Sequence, residues 1–365
     1  MKKKPIYAVI GTRAQLIKMA PVLREMQDNE IEYTFIYTAQ HRETIEELLS
    51  EFGIRQPDID LSEHFKEEAK TIGLFAGWLW KMGLILLFQR REMIKKSGGI
   101  VITHGDTTTT VWGAILGKLT GNRVMHIESG LRSFNILKPF PEELNRLITF
   151  RFTDIFACPG EWAVENVKKY KGQVINTQVN TLYDATQLAI SKKNKYKKLI
   201  PKDKYVIASI HRFENIFNKP RFLQIMELLE DIAMDFIILF VLHPATKKQL
   251  EKENLIESLK QNKNIQLKPR MPYVEFVNLL DSSEFVITDG GSNQEELSYL
   301  GKPTLLIRKA TERKEGLGEN VILSGLKKSM IEKFLDNYKQ YSAITNQEQK
   351  YSPSKMIVEY LIHNL

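Results

Sequence analysis

One cysteine, Cys158, stands in 365 residues. A single thiol allows neither an intrachain disulfide nor a cysteine-built zinc site. Its setting, Asp154-Ile155-Phe156-Ala157-Cys158, is an apolar run of strand type, so it reads as a buried strand residue rather than a nucleophile. Long apolar runs are scarce too. After the basic start Met1-Lys2-Lys3-Lys4, the run Ile6 to Ile10 is ended by Gly11-Thr12-Arg13, too short for the core of a signal peptide. A cytoplasmic location is the expectation. The stretch Ile72 to Phe88 is slightly short for a membrane span and carries Lys81 at its centre. Two readings of it stay open. It is a buried or strongly amphipathic helix, or, with Arg90, Arg91, Lys95 and Lys96 close behind, segment 72–96 makes peripheral contact with an anionic membrane.

A glycine fingerprint for dinucleotides is missing: no G-x-G-x-x-G follows the first strand. Nor is there a histidine, cysteine and carboxylate triplet at metal spacing, so no metal and no cofactor are expected. The net charge of +8 is concentrated locally, with Lys192, Lys193, Lys195, Lys197, Lys198, Lys202 and Lys204 in one stretch. Such runs are usually solvated surface. Without aromatic residues interleaved among the cations, nucleic acid is not an expected partner.

What is present is alternation. Short apolar runs (Ile6–Ile10, Tyr33–Tyr37, Ile100–Thr103, Arg123–Ile127, Asp154–Cys158) alternate with segments of helical spacing such as Leu16–Gln27 and Thr44–Phe52. A second set repeats the pattern: Tyr205–Ile210, Phe236–Leu242, Asn264–Leu267, Glu284–Thr288 and Thr304–Ile307, with Pro220–Met234 among its helices. Near-continuous apolar strands separated by helices imply parallel sheets covered on both faces. The fold class is therefore α/β, with two doubly wound Rossmann-like domains. They are placed at 1–178 and 179–350, and a C-terminal helix at about 351–365 is expected to pack back on the first.

Ligands of open parallel sheets bind beyond the carboxyl ends of the strands, and the polar segments fall there. Gly11-Thr12-Arg13 offers a cation that grips phosphate oxygens bidentately, and Lys18 follows it. His104-Gly105-Asp106 and His126-Ile127-Glu128 each offer a carboxylate. Pro139 to Arg146 holds Glu142 and Glu143 in the first turn of a helix, where the helix dipole alone would favour them. His211-Arg212 follows a later strand, and Asp289-Gly290-Gly291-Ser292 opens a helix whose first amides suit an anion.

Taken in order, these segments resemble the non-hydrolysing UDP-N-acetylglucosamine 2-epimerases. The likeness runs from Gly11-Thr12-Arg13 and Ile17 to Pro21, through Gln40-His41-Arg42-Glu43, His104 to Thr109, His126 to Arg132 and Pro139 to Arg146. It continues through His211 to Asn215, Gln294-Glu295-Glu296 and Leu300 to Pro303, ending at Thr311-Glu312-Arg313. The resemblance implies a glycosyltransferase-B architecture with an interdomain cleft, usually as a homodimer, acting on a UDP-sugar. It implies that Asp106, Glu128 and Glu142 are catalytic carboxylates, with Lys18 near them and His211 at the leaving phosphate. It places Arg13, Arg146, Gly290, Gly291, Ser292 and Arg313 on the substrate, Glu296 on ribose, and Tyr273 to Phe276 on uracil. Gln40, His41, Arg212 and His243 resemble positions near a second, allosteric UDP-sugar. The chain departs from the family at Arg13-Ala14-Gln15 (usually Arg-Pro-Glu), at Asp289 to Ser292 (usually Asp-Ser-Gly-Gly) and at Val179-Asn180-Thr181 (usually Gly-Asn-Thr).

The reaction so implied inverts C2 of a UDP-linked N-acetylhexosamine through loss of UDP to a 2-acetamidoglucal and its re-addition. It needs donors for the departing diphosphate and proton transfer on both faces of the ring. Three other readings compete: a hydrolysing 2-epimerase, a glycosyltransferase on the same fold, and a nucleotide-sugar-binding regulator.

Overall fold

The computed structural model describes residues 4–40, 45–64, 72–136, 140–311, 313–342 and 352–364. Thirteen strands form two all-parallel sheets. The first holds β1 (Ile6–Ile10), β2 (Thr34–Tyr37), β3 (Ile59–Asp60), β4 (Ile100–His104), β5 (Arg123–Ile127), β6 (Ile155–Cys158) and β7 (Gln173–Asn176). Its order is β3-β2-β1-β4-β5-β6-β7. The second holds β8 (Tyr205–Ser209), β9 (Ile237–Leu242), β10 (Ile265–Pro269), β11 (Val286–Thr288), β12 (Thr304–Leu306) and β13 (Val321–Leu323), in the order β10-β9-β8-β11-β12-β13. Both are doubly wound, reversing direction between β1 and β4 in one and between β8 and β11 in the other.

Burial explains why these segments are strands. Every residue of β1 and β4 is buried, as expected for a central parallel strand covered by helices on both faces. Each fully buried isoleucine or valine there contributes roughly 1.5–3 kcal/mol. Cys158 lies fully buried on β6, where burial pushes its thiol up to about 12. The strands not marked in the sequence are β3, β7 and β13. All three lie at sheet edges; β3 has two residues and β7 exposes Gln173 and Val174.

The chain divides into two compact units, residues 1–185 with 351–365, and residues 186–350. The C-terminal helix Pro353–Asn364 packs on the first helix, Arg13–Asp28, and Ser354 N–H donates to Asp184 Oδ2 at 2.7 Å. The second core gathers Phe222, Phe240, Phe285 and Phe334.

Helix Ile72–Leu84 continues through a π-helical stretch, Ile85–Gln89, into Arg90–Met93. Trp78, Met82 and Ile85 are buried, and Trp78 Nε1 donates to Thr38 O at 3.1 Å. Its other side exposes Trp80, Leu87 and Phe88. The segment is apolar on both faces, one of them uncovered in the single chain. No helix among the described residues is long and apolar enough to cross a membrane.

Candidate functional site

The reversal point of a doubly wound sheet opens a crevice at the strand ends. In the first unit the loops there follow β1 and β4, with the loop after β5 beside them. Asp106 lies two residues beyond β4, Glu128 one residue beyond β5, and Glu142 opens helix Glu142–Phe152. That helix ties the loops together. Arg146 donates through Nε and Nη2 to Asp106 Oδ2 at 3.0 and 2.6 Å, and Asn145 Nδ2 donates to the Asp106 carbonyl at 2.9 Å. Asp106 Oδ1 has no protein donor among the described residues. Glu142 Oε2 is buried and also has no hydrogen-bond partner among them. A buried carboxylate oxygen left so costs free energy.

Glu128 takes a left-handed backbone, φ 63°, a conformation that a non-glycine residue adopts only where its surroundings impose it. Its carboxylate accepts from Lys18 Nζ at 2.7 and 2.9 Å, and His104 Nε2 lies 3.2 Å away. Lys18, Glu128 and His104 are all buried. His126 has a different task. Its Nε2 lies 2.7 Å from the Gly105 carbonyl, which can only accept, so Nε2 carries the proton and Nδ1 accepts from Ser129 Oγ at 2.9 Å. Burial lowers the His126 pKa to about 4, keeping the ring neutral. The ring thereby pins the loop that carries Asp106. Among the described residues no group of three histidine, cysteine or carboxylate side chains could hold a metal ion.

The loop after β1 is built by Gln15. Its Oε1 accepts from Gly11 N and Thr12 N at 3.0 and 3.2 Å, while Thr12 Oγ1 caps Gln15 N at 3.2 Å. Its Nε2 donates to His104 O at 2.7 Å and to Thr110 Oγ1 at 3.0 Å, joining the ends of β1 and β4. A glutamate could accept as Gln15 does but could not donate to a carbonyl. Gly11 is required because a Cβ there would overlap Thr38 and Thr109. Arg13 opens the first helix, 3.7 Å from Glu47. Gln40 Oε1 accepts from Thr109 Oγ1 at 2.9 Å. His41, Pro139 and Glu312 lie outside the described residues.

In the second unit the reversal point falls between β8 and β11, and the motifs again sit there. Asp289, wholly buried, accepts from His211 N at 2.9 Å, Arg212 N at 3.0 Å and Asn215 Nδ2 at 2.8 Å. It thereby fixes the His211–Arg212 loop. The His211 ring lies 5.5 Å from that of His243. Burial holds the His211 imidazole below its usual range, while the Asp289 carboxylate opposes that shift. Helix Gly291–Tyr299 begins beside these rings, and a Cβ at Gly290 would strike His211. Arg313 and Arg212 flank the position a Cβ of Gly291 would take. The first-turn amides of a helix lack partners within it, so Gly291 and Ser292 open an anion-favouring end bordered by two guanidinium groups.

Two sequence motifs prove to be one structure. Gln294 accepts from Thr311 Oγ1 at 2.7 Å and donates to the Arg313 and Glu315 carbonyls at 3.3 and 3.1 Å. Glu295 pairs with Arg313. Next to them, Asn293 Nδ2 donates to Glu296 Oε2 at 3.0 Å. Tyr273 is buried at the start of helix Tyr273–Ser282; burial first, then the charge of Glu296, holds its phenol well above its usual range. Phe276, one turn on, is half-buried against the core beneath β8 and β11.

The structure also brings in residues that the motifs left without a role. Glu143, read as a helix-dipole partner, is fully buried in an ion network with Arg132 and Arg146. A carboxylate placed three residues before an arginine on one helix was the available signal.

These two edges, one lined by carboxylates and one by an anion-favouring helix end, set what the relatives must explain. A family model described as UDP-N-acetylglucosamine 2-epimerase matches residues 24–359. The UDP-N-acetylglucosamine 2-epimerase of Bacillus subtilis is 31% identical over 375 residues, covering 99% of this chain and 96% of that one. That of Methanocaldococcus jannaschii is 31% identical over 338 residues, covering 88% and 89%. A crystal structure of the Neisseria meningitidis UDP-GlcNAc 2-epimerase bound to UDP-GlcNAc superposes with a TM-score of 0.82 at 31% identity, covering 99% of this chain and 100% of that one. The Methanocaldococcus jannaschii enzyme in complex with UDP-GlcNAc and UDP gives 0.81 at 28% identity, covering 98% and 99%. With a family model matched over residues 24–359 and relatives 31% identical over nearly its whole length, the chain belongs to the UDP-N-acetylglucosamine 2-epimerase family.

Proposed function

We propose that the protein inverts C2 of a UDP-linked N-acetylhexosamine, UDP-GlcNAc/UDP-ManNAc or a close relative, without releasing free sugar. The C2 hydrogen has no neighbouring carbonyl carbon to acidify it, so removal as a bare proton is slow. Breaking the C1–O bond to UDP at the same time puts positive character on C1 and makes that proton easier to take. A carboxylate receives the C2 proton, the C–H electron pair becomes the C1=C2 double bond, and the C1–O pair leaves on the diphosphate. The products held are 2-acetamidoglucal and UDP. In return, a proton reaches C2 from the opposite face and the diphosphate oxygen re-forms its bond to C1. No electrons are lost or gained overall, so the chemistry calls for no nicotinamide.

Asp106, Glu128 and Glu142 are assigned to the proton transfers, with Lys18 donating to both oxygens of Glu128. Arg13, His211 and the turn Gly290-Gly291-Ser292 are assigned to the diphosphate, Arg146 and Arg313 to positioning around it, Glu296 to ribose, and the segment from Tyr273 to Phe276 to uracil. A single donor to a developing anion is typically worth roughly 3–4 kcal/mol. The observation that carries the reading is that Glu142 Oε2 is buried without a partner among the described residues, on the same sheet edge where Asp106 is held by Arg146 through Oδ2 alone. A nucleotide-sugar binder gains nothing from proton-transfer groups, and a transferase would not need three carboxylates around its donor sugar. Gln40, His41, Arg212 and His243 are assigned to a regulatory UDP-sugar.

Proton NMR in heavy water tests this reading. Incubation with UDP-N-acetylglucosamine is expected to give a second UDP-sugar with deuterium at C2. Free N-acetylmannosamine would mark a hydrolase instead, and unchanged substrate across a panel of UDP-N-acetylhexosamines would overturn the reading.

A homodimer is proposed as the working unit, in the cytoplasm. The uncovered apolar side of segment 72–96, with Trp80 71%, Leu87 62% and Phe88 78% exposed, supports it. Lys81 within the segment and Arg90, Arg91, Lys95 and Lys96 behind it favour a second reading, contact with an anionic membrane.

A further inference from the structure

We infer that Glu143 is a positioning residue for the proton transfer: through Arg146 it fixes which oxygen of Asp106 faces the sugar. This deepens the epimerase reading and rests on it.

A guanidinium is planar and rigid, so a bond at one edge sets the direction of the other. Glu143 occupies one edge of Arg146, accepting from Nη1 with Oε2 at 3.3 Å. Asp106 occupies the other, with a single oxygen, Oδ2, receiving both Nε and Nη2. Glu143 is itself immobilised. It is fully buried, Oε2 also accepts from Ser133 N at 2.9 Å, and Oε1 accepts from Arg132 Nε. Arg132 in turn has its cation 4.8 Å from the centre of the Phe134 ring. The chain of contacts therefore runs from a loop, through a buried carboxylate and a buried cation, to a carboxylate whose second oxygen is open.

The charges keep this arrangement fixed. Burial works against the Glu143 carboxylate, and Ser133 N–H with Arg132 outweighs it, holding the acid below its usual range. Burial likewise works against the Arg146 cation, and Asp106 with Glu143 outweighs it. Without Glu143, the Nη1 edge of Arg146 loses its anchor and the plane that holds Asp106 is free to tilt. Displacement by about an ångström of a reacting group can cost 10²-fold in rate while binding changes little. Glu142, the preceding residue, takes no part in this network, and its Oε2 is buried without a partner among the described residues. The adjacent acids thus divide into one that reacts and one that aims.

Glu143→Gln tests the assignment, since it keeps an acceptor for Ser133 N–H and removes the charge that orients Arg146. Steady-state epimerisation of UDP-N-acetylglucosamine, followed by NMR, is expected to show kcat reduced at least tenfold with KM within about threefold of the parent. A kcat within twofold of the parent, even with a lower melting temperature, would make Glu143 a structural residue and overturn the inference. So would a raised KM with unchanged kcat, which would place it in binding. Should Glu143→Gln fail to fold, Glu143→Asp withdraws the carboxylate by one methylene and is expected to show the same split at smaller size. If the unaltered protein exchanges no C2 hydrogen with any UDP-N-acetylhexosamine, the epimerase reading itself fails, a result separate from either outcome for Glu143.

Discussion

Lys18 Nζ lies 2.7 Å from one oxygen of Glu128 and 2.9 Å from the other, and both side chains are buried. The first helix and the end of β5 are joined by this pair across more than a hundred residues of chain. Removing one member of a buried pair leaves the other charge uncompensated, at a cost of about 3–5 kcal/mol. Lys18→Met is therefore expected to lose stability on that scale in urea unfolding at neutral pH. A loss below about 1 kcal/mol would mean that Glu128 finds another partner.

His126 gives the first unit a built-in acid sensitivity. Its folded pKa, about 4, lies below the ordinary value of 6.5. The unfolded chain therefore takes up a proton first as pH falls. The stabilisation from the neutral ring is complete above pH 6.5 and is lost as pH drops from there toward 4. Between pH 7 and pH 5 the loss from this group is roughly 2 kcal/mol. His126→Gln is expected to be less stable at pH 7 but to have a shallower fall toward pH 5. An equal fall in both proteins would remove His126 as the cause.

Asp106→Asn and Glu142→Gln separate binding from proton transfer. Each keeps the size of the side chain and removes its ability to take a proton. Turnover of UDP-N-acetylglucosamine should fall below detection, at least about 10³-fold. UDP affinity, measured by calorimetry, should stay within about tenfold. Parallel loss of both would assign these acids to holding the nucleotide.

Self-association through segment 72–96 is open to direct measurement. The double substitution Trp80→Ser with Phe88→Ser removes two of its most exposed apolar side chains. Light scattering after size exclusion should show a dimer for the parent and a monomer for the variant. A parent that is monomeric, and that sediments with anionic but not neutral vesicles, would give this surface to a membrane instead.

Much of this was legible in the chain because central parallel strands announce themselves. Ile6–Ile10 and Arg123–Ile127 were readable to the residue since both faces of the sheet are covered. The edge strand Gln173–Asn176 was not, because it is only partly covered and its apolar run is just Val174-Ile175 between two amides. The residues proposed to react stood out because they follow strand ends, where glycines and charges interrupt apolar runs. The supporting groups did not. Gln15 looked like a departure from the family's usual glutamate, and only the structure shows the amide donating to His104 O and Thr110 Oγ1. Glu143 was hidden by Glu142: a one-residue step turns an acid by about 100° around a helix, and spacing alone does not say which side is buried. The exposed face of helix Ile72–Leu84 was unreadable for a related reason, since all its residues but Lys81 are apolar or glycine.

The central chemical claim is that the C1–O bond to UDP breaks each time C2 loses its hydrogen. The most direct measurement uses UDP-N-acetylglucosamine carrying ¹⁸O in the oxygen that bridges C1 and the β-phosphate, incubated in heavy water. Migration of the label from the bridging to the non-bridging β-phosphate positions, at a rate comparable to deuterium entry at C2, is the expected result. Deuterium entering C2 while the label stays in the bridge would contradict elimination of UDP.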